Sequence, residues 1–213
     1  MVIRIVAGGP SSLIPETAFR KNDGLWIGVD RGAVELASRG IQPDYAFGDF
    51  DSITSAERER ITPKHGKEVF PSRKAKTDLH IAVDWAVRQK PERLEIYGAT
   101  GGRLDHQWVN QLLLKKTAVA GVEASVIDRQ NELVCKMPGE HVIERDETYP
   151  YVSFFSLGES IKGLTLRGFK YPLTKADIDL DAMLTVSNEL VEKTGTYSFS
   201  SGIAMVIRSR DHS

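Results

Sequence analysis

Val2-Ile3-Arg4-Ile5-Val6-Ala7-Gly8-Gly9-Pro10 is an apolar run that breaks into two glycines and a proline. Such a run extends as a buried strand, and the glycines let the chain turn away without side-chain bulk. The same pattern returns downstream. Leu25 to Val29 is followed by Asp30-Arg31-Gly32-Ala33, Tyr45 to Phe47 by Gly48-Asp49-Phe50-Asp51-Ser52, and Leu94 to Tyr97 by Gly98-Ala99-Thr100-Gly101-Gly102-Arg103. Ala124 to Ile127 closes the series, and Lys67 to Phe70 is a weaker sixth run. Amphipathic stretches lie between them. Thr77 to Gln89 carries Leu79, Ala82, Val83, Ala86 and Val87 on the three-and-four spacing of a helix that lies on a sheet. Alternating strand and helix predicts an α/β domain with a mostly parallel sheet. Thr77 is expected to cap that helix, Thr54-Ser55-Ala56-Glu57 to form a capping box, and Gly40 to close the helix before it. Asp105 is expected to cap another helix that buries Val109, Leu112 and Leu113.

Beyond Asn131 the helical period fades. Tyr151 to Leu157, Leu164 to Phe169, Tyr197 to Ser201 and Ile203 to Ile207 alternate as strands, with Gly202 marking a bulge or tight bend between the last two. The expected fold class is therefore α/β plus all-β, a parallel α/β domain over 1–130 and an antiparallel β-sandwich-like domain over 131–213. With no long linker or repeat, the two are expected to pack together.

The chain has 213 residues, enough for a sizeable core, and 28 basic against 29 acidic side chains leave a formal charge of −1. That balance argues against a nucleic-acid binder with a dominating basic field. The 41% hydrophobic content excludes disorder, and no run approaches the length of a membrane span or a secretory apolar region. A cytoplasmic protein without nucleic-acid or membrane partners is expected. A single cysteine, Cys135, leaves no intrachain disulfide and reads as a small residue in a strand.

Chemistry-bearing residues gather where strands of the first half end, which is where open α/β sheets bind ligands. Gly8 and Gly9 offer backbone N–H groups to phosphate oxygens, although a plain turn has the same composition. Asp30 arrives at the tip of its strand as either a helix cap or a ligand. Asp49 and Asp51 stand two residues apart; their mutual repulsion is a cost that a bound cation would reverse, and magnesium takes such hard oxygen ligands. Lys76, Thr77 and Asp78, like Gly101, Gly102, Arg103 and Asp105, pair cations with acids at helix entrances. His106 has no partner at a metal-ligand spacing and reads as structural. Together these residues point to a metal-nucleotide site for phosphoryl transfer.

In order, GGP, VDRGA, GDFDS, KTDL, GATGGRLDH and TVSNEL resemble the thiamine pyrophosphokinase family over nearly the whole chain. The resemblance implies an α/β domain with a C-terminal β-sandwich-like domain, working as a homodimer whose active site is shared between subunits. It implies transfer of the pyrophosphoryl group of ATP to the hydroxyl of thiamine, with Mg2+, giving thiamine diphosphate and AMP. By position, Asp49, Asp51 and Asp78 match the family's catalytic and metal-binding acids, with Asp30 close by. Gly8, Gly9, Lys76, Thr77, Gly101, Gly102, Arg103 and Asp105 fall to the ATP side, and Ser187 and Asn188 to the thiamine side. Without the family, Ser187-Asn188-Glu189 would be an ordinary helix cap.

Some positions depart from the family pattern. Ala75 and His80 stand where acidic residues are common, and Arg31 replaces a small residue. The C-terminal tryptophan that covers thiamine in some relatives is absent, since Trp26, Trp85 and Trp108 all lie in the first half. Tyr197 or Phe199 then supplies either an aromatic wall or core packing. On the residues alone two other functions remain open: a phosphatase with Asp49 as nucleophile, and a non-catalytic nucleotide-binding regulator.

Overall fold

The computed structural model of the chain describes residues 1–51, 53–69 and 76–211, with the backbone alone for 67–69. The Ser72-Arg73-Lys74-Ala75 stretch that leads into Lys76 lies outside the described residues. Two compact units make up the chain, Met1–Arg129 and Gln130–Ser213.

Among its described residues the first unit holds six parallel strands: β1 (Val2–Val6), β2 (Leu25–Val29), β3 (Tyr45–Gly48), β4 (Gly66–Val69), β5 (Arg93–Tyr97) and β6 (Ala124–Ile127). Their spatial order is β6-β5-β1-β2-β3-β4. Ile3, Ile5, Ile27, Leu94 and Ile96 are fully buried, which explains why these strands read as continuous apolar runs rather than as alternations. Strand order reverses at β1, with β2 on one side and β5 on the other, and this reversal opens a crevice at the carboxyl ends.

Among the described residues four α-helices connect the strands: α1 (Arg31–Ser38), α2 (Ser55–Arg60), α3 (Asp78–Arg88) and α4 (Leu104–Val119). Thr54 and Glu57 form the reciprocal capping box of α2, and the Thr77 hydroxyl accepts the His80 N–H, 3.2 Å away, at the start of α3. Leu79, Ala82, Val83 and Ala86 are the buried face of α3, as their spacing predicts.

Helix α4 departs from expectation. Its cap position is Arg103, and Asp105 sits two residues further on, in the first turn, where its carboxylate accepts the His106 N–H. The helix buries Leu113, Leu114 and Thr117, while Val109 and Leu112 stay partly exposed together with Leu104 and Trp108. Apolar residues occur all around this helix, so the side facing the sheet was decided by packing and not by pattern.

An ionic cluster crosses the buried sheet. Arg4 Nε donates to Glu95 Oε2 at 3.0 Å, and Lys21 Nζ and the Tyr97 hydroxyl each donate to the same carboxylate at 2.9 Å. Burial alone would raise the Glu95 pKa, but the hydrogen bonds from Lys21 and Tyr97 and the charges of Lys21 and Arg4 outweigh it and hold the carboxyl below its ordinary value.

The second unit is a β-sandwich. One antiparallel sheet runs β12 (Asn188–Glu189), β9 (Tyr151–Ser156), β14 (Ala204–Ser209), β7 (Asn131–Lys136). The other runs β11 (Leu173–Ile178), β10 (Ile161–Arg167), β13 (Thr194–Phe199), β8 (Gly139–Glu144). Phe154 and Val206 from the first sheet meet Leu164, Leu166, Tyr197 and Phe199 from the second in a common core. Tyr197 and Phe199 are thus core residues, 3% and 4% exposed, and supply no open aromatic wall. Gly202 makes the tight bend between β13 and β14. Ser187-Asn188-Glu189 caps no helix, because Asn188 and Glu189 pair with β9 as a short strand. Cys135 is buried in β7. Among the described residues no helix is long and apolar enough to cross a membrane.

Candidate active site

A cavity of about 410 Å³ opens in the first unit at the carboxyl ends of β1, β2 and β5, the place where the strand order reverses. Its floor is backbone. Gly9 N–H donates to Gly98 O at 2.8 Å, so the loop after β1 lies directly on the loop after β5. Gly98 has φ +65°, and a Cβ there would stand 2.5 Å from Ala7 O, which leaves glycine as the residue that fits. Gly8 and Gly9 both line the cavity.

Asp30 follows β2 and also lines it. Its backbone takes φ +48°, and its N–H donates to Phe47 O at 3.0 Å, which ties the ends of β2 and β3 together. Gly48 makes room for the carboxylate: a Cβ on Gly48 would come within 1.8 Å of Asp30 Oδ1. The neighbouring Arg31 lines the cavity with its guanidinium 3.8 Å from Glu57.

Just beyond, Phe50 takes φ +56° and buries its ring with Ala33, Ala46 and Ile61. This anchored ring leaves Asp49 and Asp51 on the outer side of the turn, where the Asp51 N–H donates to Asp49 Oδ1 at 3.2 Å. The Asp51 carboxyl is raised above its ordinary pKa, first by its hydrogen bond with Asp49, then by the Asp49 charge, with a further contribution from the charge of Asp78. Asp51 thus feels both Asp49 and Asp78, although Asp78 lines the cavity and Asp49 and Asp51 lie outside its wall. Among the described residues no three His, Cys, Asp or Glu side chains converge closely enough to hold an ion by themselves. The donor set still suits Mg2+, which takes one or two carboxylates and completes its octahedron with water and phosphate oxygens.

Thr77, Gly102 and Arg103 join the cavity wall, whereas Lys76, Gly101 and Asp105 do not. Lys76 Nζ instead bonds Asp84 Oδ2 at 2.7 Å, and Lys116 pairs with the same carboxylate. Arg103 lays its fork on Asp105, with Nε to Oδ1 at 3.1 Å and Nη2 to Oδ2 at 2.6 Å. His80, a departure from the family pattern, sits 3.1 Å from Lys116 Nζ and 3.6 Å from Asp84.

Sequence reasoning missed Gln107 and Asn110, and it read His106 as structural; all three line the cavity. Arg103, His106, Gln107 and Asn110 follow the three-and-four helical spacing, so a polar stripe was present in the sequence. The apolar residues around it masked the signal.

In the second unit, Ser187 takes φ +55° and is exposed, and its N–H donates to Ser153 Oγ at 2.9 Å. Asn188 is buried with its amide engaged on backbone: Oδ1 accepts the N–H groups of Tyr171 and Glu189, and Nδ2 donates to Tyr171 O at 2.8 Å.

Two family profiles match the chain, "Thiamin pyrophosphokinase, catalytic domain" over residues 17–125 and "Thiamin pyrophosphokinase, vitamin B1 binding domain" over residues 140–204. A thiamine pyrophosphokinase of Bacillus subtilis (strain 168) is 47% identical over 211 residues, 98% of this chain and 99% of the relative. The chain belongs to the thiamine pyrophosphokinase family. Crystal structures of thiamine pyrophosphokinases agree: one from Bacillus subtilis superimposes with a TM-score of 0.93 at 46% identity over 100% of both chains. Another, from Geobacillus thermodenitrificans, gives 0.90 at 44% identity over 100% of this chain and 99% of the other. As a thiamine pyrophosphokinase the chain is a transferase that makes thiamine diphosphate, and the family takes ATP and thiamine as substrates.

Proposed function

We propose that the pyrophosphoryl group passes from ATP to the thiamine hydroxyl at the carboxyl ends of β1, β2 and β5, with AMP as the second product. The observation that carries this reading is the gathering of Gly8, Gly9, Asp30, Thr77, Asp78, Gly102 and Arg103 around one cavity, with the Asp49–Asp51 turn electrostatically joined to it through Asp78. Backbone N–H groups of the glycine loops orient the phosphate chain. Arg103 leaves Asp105 to meet a phosphate oxygen with the same planar fork. Lys76, held on Asp84, adds positive charge near the entrance of α3.

Asp49, Asp51 and Asp78 would hold Mg2+, which when bound neutralises phosphate charge during in-line displacement. The thiamine oxygen bonds to the β-phosphorus, the bond from that phosphorus to the oxygen bridging to the α-phosphate breaks, and AMP departs with the electron pair. A carboxylate of the same acidic group, Asp51 or Asp78, takes the hydroxyl proton. Thiamine is a cation, so acidic surroundings also favour its approach.

The second unit serves thiamine through the exposed Ser187 hydroxyl, with Asn188 fixing the turn that presents it. The active form is a cytoplasmic homodimer with the active site shared between subunits. The exposed Leu104 and Trp108 of the first unit and Leu180, Met183 and Leu184 of the second support a partner surface. Incubation with ATP, Mg2+ and thiamine, followed by chromatography, tests the reaction: AMP and thiamine diphosphate in equal amounts are expected, and ADP with thiamine monophosphate would refute it.

A further inference from the structure

The two side-chain amides on the cavity face of α4 have their orientations fixed by backbone. Gly101 N–H can only donate, so the Gln107 atom that meets it at 3.1 Å is Oε1. Ala99 C=O can only accept, so the Asn110 atom 3.0 Å from it is Nδ2. Each amide thereby clamps the loop between β5 and α4 and leaves its other end over. For Gln107 that end is an NH2 group with two donors, and for Asn110 it is the carbonyl Oδ1. Neither end has a partner among the described residues, and both residues line the cavity.

The chemistry of these two ends is selective. A phosphate offers acceptors alone, so it satisfies Gln107 and is repelled by Asn110 Oδ1. A donor and an acceptor three residues apart on one helical face match a ligand edge that carries an acceptor beside a donor. An aminated nitrogen heterocycle, N=C–NH2, has that edge: its ring nitrogen accepts and its amino group donates. We infer that Gln107 and Asn110 are specificity-determining residues that read such an edge, Gln107 Nε2 donating to the ring nitrogen and Asn110 Oδ1 accepting from the amino group. This inference rests on the reaction proposed above, whose two substrates each contain this edge, adenine in ATP and the aminopyrimidine in thiamine.

Gln107→Glu tests it, because the carboxylate keeps an acceptor for Gly101 N–H and replaces the outward donors with an acceptor. Replacing the amino group by oxo reverses the ligand edge in the same way, turning adenine into hypoxanthine and thiamine into its 4-oxopyrimidine analogue. The readout is the ratio of kcat/KM between amino and oxo forms, ATP against ITP and thiamine against the analogue, in which any general effect of the added charge cancels. The wild-type enzyme is expected to favour the amino form about tenfold or more in one pair. In Gln107→Glu that ratio should fall about tenfold or invert, while the other pair stays within about threefold of wild type. The pair that moves identifies whether adenine or the pyrimidine is read. Should Gln107→Glu fail to fold, Gln107→Ala carries the same test, with the ratio falling toward one. Ratios unchanged in both pairs, or shifted equally in both as a distorted loop would give, overturn the inference. Failure of the wild-type protein to form AMP from ATP and thiamine would instead refute the reaction itself.

Discussion

Asp51 shows at the scale of one residue how charge is stored for use. Its carboxyl is raised by the Asp49 hydrogen bond and charge and by the charge of Asp78, so the turn is electrostatically unfavourable until a cation arrives. Asp51→Asn relieves that repulsion and removes a proposed Mg2+ ligand. Turnover is expected to fall by about a hundredfold or more, measured as AMP formed, and a loss of under about threefold would remove Asp51 from the mechanism. Glu95 carries the opposite balance. Its folded pKa lies below the ordinary 4.5, so its stabilisation is present above that pH and is lost as pH falls through the folded value. Glu95→Gln removes the buried carboxylate shared by Arg4 and Lys21, leaving Arg4 paired with the more exposed Asp23 alone, and is expected to cost about 3 kcal/mol in urea denaturation near pH 7. The gap to wild type should narrow below pH 4.5; a gap independent of pH would show that the charge of Glu95 contributes nothing.

Elements position these residues, and they differ in how far they could be read from sequence. The strands β1, β2, β3 and β5 and helix α3 follow from the apolar runs and the Leu79–Ala82–Val83–Ala86 stripe, and the capping box and the Thr77 cap were legible as short polar signatures. Thr77→Ala is expected to lower stability by about 1 kcal/mol by thermal melting, through loss of the cap to His80. Gly48→Ala places a Cβ 1.8 Å from Asp30 Oδ1 at φ +143°, so it should displace the carboxylate and reduce activity more than stability. A fully active Gly48→Ala enzyme would show that the seating of Asp30 is immaterial. Helix α4 was misread because Leu104, Trp108, Val109 and Leu112 compete with the buried Leu113 and Leu114 for the apolar face. Strands β8 and β11 gave no signal, since each has a single buried residue, Ile143 and Ile178, among mostly polar or exposed neighbours. Lys76 and Arg103 were readable as cations at helix entrances, but their pairing with Asp84 and Asp105 depends on tertiary neighbours. The engagement of the Asn188 amide with Tyr171 likewise spans 17 positions and leaves no local pattern.

Across the molecule, the proposed reaction sets one requirement that connects the glycine loops, the acidic turn and Arg103: a highly charged phosphate chain is to be gripped by backbone, cations and a metal at a sheet's carboxyl edge. Neither the glycine loops nor the aspartates suffice separately, because the loops give orientation without neutralising charge and the aspartates repel phosphate unless a dication intervenes. Calorimetric titration of ATP into the intact protein, with Mg2+ and then with EDTA in excess, measures that interdependence directly. The account predicts that EDTA weakens ATP binding by about tenfold or more and that Asp51→Asn removes most of the difference. Equal affinity in the two conditions would contradict it.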